Sequence, residues 1–206
     1  MPETPLVWID CEMTGLDAER DALVEVACLV TDHELNVLGD GVQVVIKPSD
    51  EALAGMNDFV TTMHTESGLL PELEHGTTMA DAQEQVLAYV KKYAPQPGKA
   101  PLAGNTVGMD RIFLDRDMPD LTAHLHYRVV DVSSIKELVR RWYPRVFFNA
   151  PAKTGNHRAL GDIRDSITEL RYYRETVLVA LPGPDSDAAK AAAERVAARH
   201  EGTDGA

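Results

Sequence analysis

Apolar and polar positions alternate along this chain at two periods, and the changes between them predict its elements. "LVWI", Leu6 to Ile9, reads as a buried strand running into the polar turn "MTGLD". "LVEVACLVT" (23–31) and "VQVVIK" (42–47), the latter closed by Pro48, read as two more strands. The turn residues between them, "TDHELN" and "GDG", predict an antiparallel meander. Residues 49–76 show scattered Gly, Pro and Asn and read as irregular; so long a segment in a compact domain is more often functional than idle. A helix over 78–94 follows. Thr78 and Asp81 resemble a capping box there, and Met79, Ala82, Val86, Val90 and Tyr93 share a face. "LAGNT" (102–106) reads as a short buried strand, 109–118 as a helix ending before Pro119, with a further short helix to His124, and "YRVVDVS" (127–133) as a strand. Ser134 and Glu137 form a second capping box. It opens a helix with the stripe Ile135, Leu138, Val139 and Trp142, and Pro144 follows its end. Residues 144–156 read as a loop, and about 158–180 as a last helix with Ile163, Ile167, Leu170 and Val177 inward. The order β-β-β-α-β-α-β-α-α predicts an α/β domain, a mixed sheet with helices packed on it. We expect it to occupy residues 1–181. From Pro182 a breaker cluster and an Ala-rich stretch with little to bury predict a flexible or marginally helical tail, 182–206.

Composition narrows the classes. With 206 residues, 44% hydrophobic and 26% charged, the chain can bury a core and is not a disordered type. No apolar run approaches the roughly 20 residues of a membrane span, and no basic region followed by an apolar one precedes Leu6, so neither a membrane partner nor a signal peptide is expected. Cys11 and Cys28 fall in apolar runs and read as buried free thiols, which suits a reducing cytoplasm. The formal charge of −13 repels polyanions. A protein that grips long nucleic acid usually shows a basic stripe. Either nucleic acid is not the substrate, or it is short and held locally by metal ions and a few arginines.

The chemistry-bearing residues lie at element ends. Side chains two apart on a strand share a face, so Asp10 and Glu12 project together from the end of the first strand. Two carboxylates so close repel, and their burial costs several kcal/mol unless a positive charge sits between them. A hard divalent cation such as Mg²⁺ or Mn²⁺ is one solution; a strand that simply ends in a polar turn is the other reading. Asp110, at the head of a helix after "LAGNT", is either a dipole partner of that helix or a third ligand. It could join the pair if strand 102–106 lies beside the first strand. His157 and Asp162, five apart, would be turned by about 140° on one helix. Both reach one site only if His157 sits on the loop ahead of the helix, which Gly155 makes plausible, with Asp162 one turn in. Asp165 is the decoy, expected to be structural or exposed.

These residues stand in motifs, and with them the chain resembles the oligoribonuclease family within the DEDDh 3′→5′ exonucleases. "IDCEMTGL" matches the first exonuclease motif, "GNTVGMD" the second, ending in Asp110, and "HRALGD" the third, from His157 to Asp162. "MHTESGL" and "HYRVVDVSSIKELVRRWYP" are similar to oligoribonucleases rather than to proofreading exonucleases. The likeness runs from about residue 5 to residue 180. It implies an RNase H-like mixed five-stranded sheet flanked by helices, and two divalent cations, Mg²⁺ or Mn²⁺, held by Asp10, Glu12, Asp110 and Asp162. His157 would take the proton of the attacking water, and the products would be nucleoside 5′-monophosphates.

The resemblance further implies a substrate pocket. Leu16 would be the wedge beside the terminal bases and Phe59 the stacking platform, where many relatives carry Trp; Phe offers a smaller π face. His64 and Asn105 match positions lining the site. Tyr127, Arg128 and Ser133 resemble a cap for the substrate's 5′ phosphate, with Tyr127 and Arg128 supplied in trans by the partner of a homodimer. Such a cap admits short RNA oligonucleotides of two to five residues, dinucleotides above all, and reconciles an acidic protein with an RNA substrate. A broader exonuclease of DNA ends or RNA 3′ tails would need a basic patch, and Arg140, Arg141 and Arg145 form the only cluster. A binding scaffold on a degenerate fold would have no use for four converging carboxylates.

Overall fold

Strand β1 (Leu6–Met13) runs through the middle of the sheet and sorts the chain into two layers by its alternation. The computed structural model describes residues 4–153 and 158–201. Val7, Ile9 and Cys11 face one core; Trp8, between them, faces the other. Asp10 and Glu12 continue the Trp8 side by the same two-residue period.

β2 (Leu23–Thr31) pairs antiparallel with β1, and β3 (Val37–Val45) antiparallel with β2, as the short turns predicted. β4 (Pro101–Gly104) and β5 (His126–Asp131) are parallel to β1 and beyond it, giving the order β3-β2-β1-β4-β5. This is the expected RNase H-like mixed sheet with helices on both faces. Helix α3 (Met79–Tyr93), capped by Thr78, buries Ala82, Val86 and Val90 in the first core, over β2 and β3. α4 (Val107–Asp117) and α5 (Pro119–His124) close that side. On the other face, α8 (Ala159–Thr176) lays Ile163, Ile167, Leu170 and Tyr173 against Trp8, Ala27 and Leu29, joined by Val139 of α6 (Val132–Trp142). Each fully buried aliphatic side chain contributes about 1.5–3 kcal/mol. α8 is thus fixed over the strand ends that carry Asp10 and Glu12.

The structure departs from the sequence pattern in four places. β3 begins at Val37, not 42, because its outer half is exposed and carries no apolar run. The extension needs glycine: Gly39 has φ +76°, and a Cβ there would lie 2.2 Å from the Tyr93 hydroxyl. The stretch read as irregular holds α1 (Asp50–Ala54), α2 (Asp58–Glu66) and a 3-10 turn over Leu70–His75. Both helices are short and largely exposed, so no stripe betrays them, although Ser49 and Asn57 cap them from their side chains. α6 opens at Val132 under an Asp131 cap rather than at Ser134, because Asp131 accepts the Ser133 amide at 2.8 Å. The loop after it contains α7 (Pro144–Phe148). Beyond Pro182, α9 (Ser186–Glu201) is an exposed helix. No helix among the described residues is long and apolar enough to cross a membrane.

Candidate active site

The ends of β1 and β2 and the start of α8 meet at one corner. Asp10, Glu12 and Asp162 converge there, each offering one carboxylate oxygen, and these oxygens all lie within 4.8 Å of one another. Asp162 sits in the first turn of α8, as the motif spacing required, and its amide donates to the Arg158 carbonyl at 3.1 Å. Asp165 is half-buried and outside this group. β4 does lie beside β1, with Val7 opposite Leu102, and Asp110 is carried to the corner in the first turn of α4. Its carboxylate is buried and accepts the Cys11 amide at 2.9 Å, so it braces the strand between the two ligand positions. His157 lies outside the described residues.

The electrostatics are those of like charges crowded together under burial. Burial pushes Asp10 well above the usual carboxylate range, and the charges of Asp110, Glu12, Asp162 and Glu25 push it further. Burial also carries Glu12 from an ordinary 4.5 up to about 8, reinforced by Glu25, Asp162 and Asp110 and opposed by Arg158. Asp110 rises to about 6 through burial, opposed by the hydrogen bonds it accepts. Three hard oxygen donors at this spacing, each burdened by its neighbours' charge, fit a divalent cation.

The substrate-side residues are disposed differently. Leu16 and Phe59 stand out from the surface, 70% and 75% exposed. Leu16 is held on a tight turn. Thr14 donates its amide to the Ala22 carbonyl at 2.9 Å, and the Asp21 carboxylate accepts the Asp17 amide at 2.8 Å and the Thr14 hydroxyl at 3.2 Å. A Cβ on Gly15 would lie 2.3 Å from Asp21 Oδ2, so any side chain there would displace the carboxylate that holds the turn. A cleft of about 670 Å³ runs from this turn to α1 and Asn57 at the head of α2, the helix of Phe59. His64, on the same helix, is fully buried, and its Nε2 donates to the Met13 carbonyl at 2.9 Å, tying α2 to the end of β1.

At the other flank Asn105 donates to Ser166 Oγ at 2.8 Å and to Glu169 at 3.2 Å, and accepts from the Ser133 hydroxyl at 3.1 Å. Thr106 follows in the left-handed region, φ 55°, a strained conformation for a β-branched residue. Asp131 accepts its amide and the Ser133 hydroxyl meets its own. Tyr127 and Arg128 lie on the edge strand β5, Tyr127 75% exposed, with the guanidinium 5.4 Å from the ring centroid. Arg140 and Arg141 both pair with Glu137.

The family model for exonucleases matches residues 7–170. The oligoribonuclease of Streptomyces griseus is 68% identical over 193 residues, 94% of this chain and 96% of that protein. That of Cutibacterium acnes is 61% identical over 197 residues, 96% of each. The chain belongs to the oligoribonuclease family of DEDDh exonucleases. Among solved structures, exonuclease I of Methylocaldum szegediense superposes with a TM-score of 0.59 at 21% identity, over 84% of this chain and 41% of that one. Exonuclease I of E. coli in complex with a dA16 oligonucleotide gives 0.66 at 16%, over 85% and 42%. This oligoribonuclease-family chain spans about two fifths of those exonucleases, and what it shares with them is the fold. Family membership and the three-carboxylate group together indicate dependence on divalent metal.

Sequence reasoning missed several members of the site: Glu25, Arg158, Thr106, Asp131 and Glu169. One signal was available. "LVEVACLVT" is a strand buried at every position, and Glu25 is its one charge.

Proposed function

We propose that the chain is a 3′→5′ exoribonuclease that hydrolyses short oligoribonucleotides of two to five residues, dinucleotides preferred, to nucleoside 5′-monophosphates. The observation that carries this reading is the convergence of Asp10, Glu12 and Asp162 within 4.8 Å at the end of β1, in a chain of this family. Asp10, Glu12 and Asp162 would hold two divalent cations, Mg²⁺ or Mn²⁺, with Asp110 completing the charge. When bound, such ions acidify water and neutralise charge developing on phosphate oxygens. The chain's own residues do the rest. His157 takes the proton of the attacking water as its oxygen bonds to the terminal phosphorus, and the bond from phosphorus to the 3′ oxygen breaks. Leu16 parts the last two bases and Phe59 stacks on one of them. Asn105 and Ser133, already joined by a hydrogen bond, line the far end, and His64 keeps α2 at a fixed distance from β1.

The 5′-phosphate cap would be completed by Tyr127 and Arg128 of a second copy in a homodimer. Support comes from exposed apolar side chains, Tyr127 and Val129 on the edge strand β5 and Leu138 and Trp142 on α6. Leu138 and Trp142 belong to the α6 stripe, whose regular apolar spacing asks for a partner. The exonuclease domain would comprise residues 1–181 and the tail 182–206, in a cytoplasmic protein whose two free thiols are both buried.

The test is to incubate the protein with Mn²⁺ and 5′-labelled RNAs of two to twenty residues. A strong preference for the dinucleotide is expected. Equal rates on twenty-residue RNA would replace this reading with a broad exonuclease.

A further inference from the structure

Glu25 is a fully buried carboxylate in a strand that otherwise buries only apolar side chains and Thr31. It stands directly opposite Glu12 in the β1–β2 register, a pairing of like charges that costs stability on its own. Its two oxygens are fully engaged. Oε1 accepts from Arg158 Nη2 at 2.8 Å, from Arg158 Nε at 3.1 Å and from Gln43 Nε2 at 2.9 Å. Oε2 accepts the Ala159 amide at 2.9 Å. Arg158 also grips Glu72 in the 3-10 turn, Nη1 to Oε1 at 3.0 Å and Nη2 to Oε2 at 2.9 Å.

The second oxygen explains the arrangement. The first amides of a helix need acceptors. Arg158, the residue before α8, gives no side-chain cap; a strand residue from across the sheet supplies the acceptor instead. The Arg158 carbonyl in turn receives the amides of Gly161 at 2.8 Å and Asp162 at 3.1 Å. A buried ion pair is weak evidence for stability, since apolar side chains of similar volume often serve as well. A device that fixes both the side chain and the next amide of one residue serves placement.

We propose that Glu25 is a positioning residue for hydrolysis: through Arg158 and the Ala159 amide it pins the first turn of α8 and so sets Asp162 against Asp10 and Glu12. This rests on the reading of those three carboxylates as a cation site. Glu72 holds Arg158 from the solvent side, so the same arginine ties the 3-10 turn to the site.

The experiment is calorimetric titration of Mn²⁺ into the native protein, Glu25→Gln and Arg158→Lys, with KM for a 5′-phosphorylated dinucleotide measured on each. Glu25→Gln should weaken Mn²⁺ binding about 10–100-fold, the scale on which groups behind a metal ligand act, with KM unchanged. Arg158→Lys keeps the charge but loses the fork and should show a smaller loss of the same kind. It also decides the matter if Glu25→Gln fails to fold, because Arg158 is partly exposed. Native Mn²⁺ affinity in the variants overturns the proposal even if they melt earlier, as does a change in KM without a change in Mn²⁺ affinity. A native protein that binds no Mn²⁺ removes the cation reading itself, and this inference with it.

Discussion

The two halves of the site are built in opposite ways. At the metal corner Glu12, Asp110 and Glu25 are buried. Asp110 is tied to the Cys11 amide and Glu25 to Arg158 and the Ala159 amide. On the side expected to meet substrate, Leu16, Phe59 and Tyr127 are each at least 70% exposed. The first half is preorganised at an electrostatic cost, because carboxylates placed to hold a cation are buried beside one another. In the proposed function the second would offer apolar surfaces to bases and, at β5, to another copy of the chain. The difference predicts that damage at the corner removes the reaction, whereas damage at the platforms weakens binding.

Asp162→Asn should break the corner outright, lowering kcat by about 10²–10³-fold or more while far-ultraviolet circular dichroism stays native. Mn²⁺-dependent turnover near native in that variant would sink the ligand assignment. Phe59→Ala should act on the other half. Base stacking is worth about 1–3 kcal/mol, so KM should rise roughly 5- to 150-fold, with kcat much less affected. A fall in kcat alone would show that Phe59 belongs with the chemistry. Next in size is sharing between copies. Mixing Tyr127→Ala/Arg128→Ala chains with Asp10→Ala chains gives half heterodimers, each with one complete site, so about a quarter of native activity should return. No recovery counts against completion in trans.

A separate effect is on stability. Glu12 and Asp110 have folded pKa values raised above their unfolded ones, to about 8 and about 6. The folded state therefore binds more protons than the unfolded one, and stability falls as pH rises through the window between the two values. Metal-free protein should lose Tm from about pH 4 to pH 8, at about 2–4 °C for each kcal/mol lost, and Mn²⁺ should flatten the slope. A metal-free Tm that climbs over this range would contradict the charge accounting.

The two halves also differed in how legible they were in the sequence. Period and polarity suffice for β1, β2, α3 and α8, whose buried faces are apolar at regular spacing. They also place Asp10, Glu12 and Asp162 at element ends, where a buried layer meets solvent. They fail for α1, α2 and α7, which are short and show no apolar stripe: α1 and α7 bury no side chain, and α2 buries Val60 and His64 alone. They fail for Glu25 and Arg158 for a different reason. Their partnership spans 133 residues and two elements, and nothing local announces it except a charge in an apolar strand. The α6 stripe was read correctly as a pattern, yet it leaves Leu138 and Trp142 exposed, because a pattern records that a face wants covering and not which surface covers it.

The central claim is that burial beside other carboxylates holds Glu12 protonated until a cation takes over its charge. Proton release on Mn²⁺ binding tests it directly, by calorimetry at pH 7 in buffers of different ionisation enthalpy. With Glu12 near 8, binding should release about one proton per chain. Mn²⁺ binding that releases none would contradict the account.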